Sequence, residues 1–270
     1  MTAIMRYFVW LILVLFTSCD NEPVDVQGEY VFRLDGEKRL PDLALKDSPS
    51  PTYPWNSQIK GSIQPITKEY FRCRGSSLHP PIIVHAKEKS EDRISDCGGS
   101  DKHSLPYRGK EEFVYPILIE LLNHIQEVTK KQVIITSGHR CPDHNRYSDQ
   151  STQNSGSKHM IGAACDFYIK GLESHPEAAC KIIEDFYKKN ARYQKTDEWQ
   201  KLRRFEKAQG VSIQPWYNKE IMIKIYKANE GRNFDNRHSY PYICLQVRFD
   251  RTLNLPVNLT WDQAQRYLRR

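Results

Sequence analysis

Ser157-Lys-His159-Met-Ile-Gly162-Ala-Ala-Cys-Asp166 places an imidazole and a carboxylate seven residues apart across a glycine. The residues from Ser157 to Met160 read as loop, and the alternation from Ala163 to Lys170 reads as a strand. A loop feeding a strand over so few residues can turn both side chains toward one point, with Gly162 allowing the tight turn between them. Neutral imidazole nitrogen and carboxylate oxygen are both ordinary zinc ligands, so His159 and Asp166 are candidate metal ligands. Ser157 reads as a loop hydrogen-bonder that orients His159 or a bound substrate. No Gly-x-Ser-x-Gly elbow surrounds it, which argues against a nucleophile.

Upstream, Glu111 to Lys130 carries Phe113, Val114, Ile117, Leu118, Leu121, Leu122, Ile125 and Val128 at mostly helical spacing. Lys130 and Lys131 suit the carbonyl end of a helix. Gln132 to Thr136 is a short β-branched strand that runs into Ser137-Gly138-His139-Arg140-Cys141-Pro142-Asp143-His144-Asn145. His144 and Asn145 are expected to stabilise the loop after Arg140 rather than to bind metal.

A helix, a strand, Ser-Gly-x-Arg-x-x-x-His-Asn and then Ser-x-His-x-x-Gly-x-Ala-x-Asp together resemble the zinc D-alanyl-D-alanine carboxypeptidases. That superfamily includes the hedgehog signalling domain and lysostaphin-type peptidases. The resemblance covers roughly residues 110–250, a typical domain size. It implies an α+β fold, a small antiparallel sheet flanked by helices, with one zinc ion on a face of the sheet. It also implies hydrolysis of peptidoglycan stem peptides, as a D-Ala-D-Ala carboxypeptidase or an endopeptidase. Arg140 matches the family's active-site arginine, whose planar fork suits a peptide carboxylate or a developing oxyanion.

A catalytic zinc needs a third protein ligand. In the resembling family this is a histidine on a later strand, and the matching strand here is Tyr242-Ile-Cys244-Leu-Gln246-Val-Arg248-Phe249. The ligand position falls on Cys244 and the following acid on Gln246, with Arg248 expected on the same face by the period of two. Three readings stay open. Cys244 binds as a thiolate, which donates more charge than imidazole and leaves the metal a weaker Lewis acid. Alternatively His238 is the ligand and Asp235 the general base, because Asp235-Asn-Arg-His238 has the Asp-x-x-His spacing of several relatives. Against this, the strand alignment puts His238 about 20 Å upstream at ~3.3 Å per residue. In the third reading the fold has lost its chemistry and serves as a peptidoglycan- or protein-binding module.

The rest of the chain bounds where this domain works. Arg6 followed by the apolar run Tyr7 to Phe16 is too short to span a bilayer comfortably but suits a signal peptide. Leu15-Phe16-Thr17-Ser18-Cys19 resembles a bacterial lipobox, which implies lipidation of Cys19 and a membrane anchor. The expected organisation is a signal peptide over 1–19, a tether over 20–60, a small extension over 61–109, the peptidase-like domain over 110–250 and a tail over 251–270. The expected location is the bacterial cell envelope, periplasmic or extracellular, with peptidoglycan peptides as partners and the protein a monomer. The net charge of +7 favours an anionic environment, yet the basic residues are scattered and no nucleic-acid motif is present.

Seven cysteines suit an exported chain. Cys73 with Cys97 is the expected disulfide, since both sit in the loop-like N-terminal part. Metal binding by the two is the alternative, which their long separation, lacking zinc-ribbon spacing, argues against. Cys165 is expected to point away from Asp166, into the core or toward Cys180. His79, His85, His103 and His175 lack partners at ligand spacing and read as surface residues.

Overall fold

The computed structural model describes residues 63–85, 91–99, 102–149, 156–193, 197–206, 211–230, 240–259 and Ala264. Cys19, the signal and tether segments, Asp235 and His238 lie outside the described residues. Among the described residues no helix is long and apolar enough to cross a membrane.

The first long helix, α1, spans Pro116–Thr129 rather than beginning at Glu111. Pro116 sits in its first turn, where the missing N–H costs nothing, and a residue before proline is disfavoured in helical conformation. Glu111–Glu112 instead pairs with Tyr107–Arg108 in a small antiparallel ladder. Lys130 closes α1 in the left-handed conformation. Strand β1 follows as Val133–Ser137, then the short helix α2, Pro142–Ser148. Strand β2 is Ala164–Ile169 and helix α3 is Glu177–Lys189. Two short strands, β3 (Arg203–Arg204) and β4 (Trp216–Tyr217), precede β5 (Ile221–Tyr226) and β6 (Tyr242–Val247).

These six strands form one antiparallel sheet in the order β1-β2-β6-β5-β4-β3. Together with the helices this makes an α+β architecture. Alternation along the strands gives the sheet two unlike faces. Ile135, Cys165, Phe167, Ile223, Ile225, Ile243 and Leu245 join the hydrophobic core. Helix α1 packs against α3, β1 and β6 and contributes Leu118, Leu121, Leu122 and Ile125 to that core. The opposite positions, including Asp166, Cys244 and Lys224, carry the polar chemistry.

The core is not confined to residues 110–250. Ile66, Tyr70, Phe71 and Leu105 from the upstream extension share it, as do Val257 and Ala264 from the tail. Asn123 of α1 ties the extension down. Its side chain accepts from the Ile66 amide at 2.8 Å and donates to the Ile66 carbonyl at 2.7 Å.

Three local expectations change. Lys158–Ile161 is a short 3-10 helix rather than loop, because the Ser157 hydroxyl caps its start and Gly162 ends it in the left-handed region at φ 68°. A Cβ at Gly162 would also meet the Phe113 carbonyl at 2.8 Å. Arg248 does not continue the face of Cys244 and Gln246, because β6 ends at Val247 and the Arg248 amide turns to the Glu220 carbonyl. Cys73 and Cys97 are not a disulfide, since their sulfurs lie 3.7 Å apart where a bond requires about 2.05 Å. Cys165 and Cys180 are likewise unbonded and buried in the core.

Candidate metal centre on the polar face of the sheet

Asp166 of β2 stands directly opposite Cys244 of β6 in the antiparallel ladder. Residues so paired project from the same face about 5 Å apart. The row extends in both directions. Ser137 of β1 is the other neighbour of Asp166, reached through a register shift after Ile135, and Lys224 of β5 is the other neighbour of Cys244. A shift of this kind re-aims side chains at the edge of a site.

His159 is brought to this row by its 3-10 turn. The Ser157 hydroxyl accepts from the His159 amide, and the Lys158 ammonium donates to the Val247 carbonyl at the end of β6. His159 Nδ1 lies 2.7 Å from the Gly138 carbonyl oxygen, so that nitrogen carries the proton and donates. Nε2 is thereby the nitrogen available to a metal, 3.5 Å from Asp166 Oδ2. A histidine whose other nitrogen donates to a backbone carbonyl has the tautomer and ring orientation of a metal ligand.

The donor atoms of His159, Asp166 and Cys244 all lie within 4.8 Å of one another. The three residues are buried, and among the described residues Asp166 Oδ1 has no hydrogen-bond partner. An isolated buried carboxylate oxygen is costly, and a cation satisfies it. Burial opposes ionisation of Asp166, yet the His159 ring and the Arg140 guanidinium hold its carboxyl below the ordinary range. Burial pushes the Cys244 thiol well up, and the Asp166 carboxylate adds to it. A coordinated metal deprotonates such a thiol outright. The set therefore fits one zinc ion, with one nitrogen, one oxygen and one sulfur donor.

Arg140 belongs to the same centre. Its Nη2 donates to Asp166 Oδ2 at 3.3 Å and its Nε to the Ser137 hydroxyl at 2.9 Å. The guanidinium is almost wholly buried. Its visible work is to organise the ligand carboxylate, a role that sequence spacing did not indicate. His144 Nδ1 lies 2.7 Å from Asp96 Oδ1. Gln246 donates to the Cys244 sulfur at 3.4 Å. Tyr242, two residues before Cys244, stacks on Tyr226 with ring centres 4.6 Å apart.

Sequence reasoning did not single out Ser137 as the partner of Arg140, the Gly138 carbonyl, or Lys224. The alternation of Ile221 to Tyr226 could have indicated that Lys224 faces the polar side. Arg248 lies elsewhere. It lines a cavity of about 470 Å³ with Lys158, Arg203 and Lys219, near the foot of the His159 turn. Burial, reinforced by Arg248, brings the Lys158 ammonium down to about 8.

A buried imidazole, carboxylate and thiol on one face of an antiparallel sheet define a candidate mononuclear zinc centre in an α+β protein. Residues 83–199 match the family model described as peptidase M15. This is consistent with the zinc D-Ala-D-Ala carboxypeptidase family and supports a zinc-dependent peptidase. The match takes in Arg140, His159 and Asp166 but ends before β6 and Cys244. No curated protein and no solved structure matches the chain.

Proposed function

We propose that this protein is an exported, membrane-anchored zinc peptidase that hydrolyses peptidoglycan stem peptides, as a D-Ala-D-Ala carboxypeptidase or an endopeptidase. The observation that carries the reading is the convergence of His159, Asp166 and Cys244 beside Arg140. In this proposal Cys244, rather than His238, is the third ligand. When bound, zinc would polarise the scissile carbonyl and acidify a bound water, less strongly with the Cys244 thiolate than with a third imidazole. The chain's own residues do the rest. The Gly138 carbonyl keeps the His159 ring in the ligand tautomer. Arg140 holds the Asp166 carboxylate and sets fixed positive charge near the reacting carbonyl, where preorganised charge is most effective.

The test uses the full chain with a peptide ending in D-Ala-D-Ala. Release of free D-alanine or internal cleavage of a stem peptide is expected, with loss on chelation and recovery on adding zinc. Absence of hydrolysis at every zinc level would sink the reading. A second reading, a peptidoglycan- or protein-binding module, is favoured by one feature. A buried sulfur stands where the resemblance leads one to expect an imidazole. Tight binding of intact stem peptides without turnover would select it.

The anchor is proposed at Cys19, in Leu15-Phe16-Thr17-Ser18-Cys19. It would place the catalytic domain at the bacterial cell envelope, facing the wall. In bacterial cells Cys19→Ala is expected to move the protein out of the lipid-modified membrane fraction. Unchanged membrane fractionation, with no acyl mass on the wild-type protein, would refute lipidation.

A further inference from the structure

A second cluster of metal-binding side chains lies behind the Arg140 loop. Cys73, Cys97, His103 and Cys141 come from four separate segments, and their donor atoms all lie within 4.8 Å of one another. All four residues are at most 9% exposed. His103 therefore is not the surface residue its sequence surroundings suggest. Its Nδ1 lies 3.2 Å from the Ser104 carbonyl oxygen, so Nδ1–H donates there. Its Nε2 is buried and, among the described residues, has no hydrogen-bond partner within geometric reach.

The frame around the cluster is built to hold it. The Asp96 carboxylate accepts from the Ser76 amide at 2.8 Å and from the Cys97 amide at 2.7 Å. It also lies 2.6 Å from His79 Nδ1 and 2.7 Å from His144 Nδ1, so both imidazoles flanking the loop are occupied. The His144 amide donates to the Cys141 sulfur at 3.3 Å. Amide donors of this kind are the usual support of metal-bound ligands.

Three sulfurs and one imidazole nitrogen within mutual reach constitute a closed tetrahedral zinc set, with no position left for water or substrate. We infer that Cys73, Cys97, His103 and Cys141 bind a structural zinc ion, distinct from the candidate catalytic centre, that clips the upstream extension to the loop carrying Arg140. Cys73 lies two residues after Phe71, whose carbonyl accepts from the His139 amide at 2.6 Å. Cys141 immediately follows Arg140. Closing this site fixes the segment whose Gly138 carbonyl orients His159 and whose Arg140 holds Asp166. The inference rests on this cluster alone and does not require the peptidase reading.

The test is metal content of the full chain, isolated without oxidant or chelator and carrying His159→Ala and Asp166→Ala to empty the other site. About one zinc per chain should remain, as one closed four-ligand site implies. Exchange for cobalt should give strong sulfur-to-metal charge-transfer absorption from three thiolates, which a site with Cys244 as its one sulfur cannot produce. Because those variants can misfold, the unmutated chain gives a parallel readout by thiol alkylation mapped with mass spectrometry. Cys73, Cys97 and Cys141 should be protected with zinc and lose protection together on chelation, while Cys165 and Cys180 do not change. Alkylation of the three that is indifferent to chelation, or isolation of Cys73 and Cys97 as a disulfide, would overturn the inference. Either result would leave the hydrolysis test of the peptidase untouched.

Discussion

Asp166→Ala is expected to lower hydrolysis of a stem peptide by roughly a thousand-fold or more, about 4 kcal/mol of transition-state stabilisation. Asp166 is the meeting point of the centre. It faces Cys244 across the ladder, lies beside His159 Nε2 and takes the Arg140 guanidinium. Removing it deletes one proposed metal ligand and takes the anionic partner from a buried arginine that is 2% exposed. Loss of one partner from a buried ion pair costs about 3–5 kcal/mol of stability, so the alanine variant should also unfold more easily. Asp166→Asn separates the two effects. It keeps an oxygen to accept from Arg140 but binds metal more weakly, so it should stay folded and still lose both zinc and turnover. Measured turnover near wild type for a folded Asp166→Asn protein would remove Asp166 from the catalytic centre.

Gly138→Ala is expected to damage both stability and turnover. A Cβ there would stand 2.5 Å from the Phe71 Cα and 2.6 Å from the Phe71 carbonyl oxygen. These are backbone atoms, held in place because the Phe71 carbonyl accepts from the His139 amide and the Phe71 side chain is fully buried. Neither side can rotate away, so the loop must shift. Overpacking of this kind costs about 1–3 kcal/mol. The same shift displaces the Gly138 carbonyl, which lies 2.7 Å from His159 Nδ1. A misplacement of about 1 Å at a reacting centre can cost on the order of a hundred-fold in rate. Denaturant unfolding and peptide turnover, measured on the full chain, should both fall. Wild-type values of both would show that the loop accommodates the methyl group and does not depend on this contact.

The two variants differ in what they report. Asp166 acts on the metal directly, whereas Gly138 acts through the tautomer and placement of His159. A fall in turnover for Gly138→Ala with zinc retained would place its effect in positioning rather than in metal binding.

The local sequence was informative wherever the physics is local. Pro116 starts a helix because it needs no amide donor there, and the strand around Asp166 shows in its alternation, whereas the strand around Cys244 is located by the family resemblance. Ser157, His159, Gly162 and Asp166 form a compact signal because a capped turn, a left-handed glycine and a strand are encoded within ten residues. Arg140 was legible as a site residue, although its bond to Asp166 was not.

What the chain order could not reveal depends on strand register and on segments meeting from far apart. Asp166 faces Cys244 and Ser137, and Cys244 faces Lys224, because β2, β6, β1 and β5 pair in one register, and a one-residue slip would send these side chains into the core. The cluster of Cys73, Cys97, His103 and Cys141 has no spacing signature, since each ligand arrives on a different piece of backbone. Residue types and local turns were therefore set by the sequence alone. The identity of each side chain's partner was decided by tertiary pairing, because metal coordination and buried charge depend on ångström distances in space and not on separation along the chain.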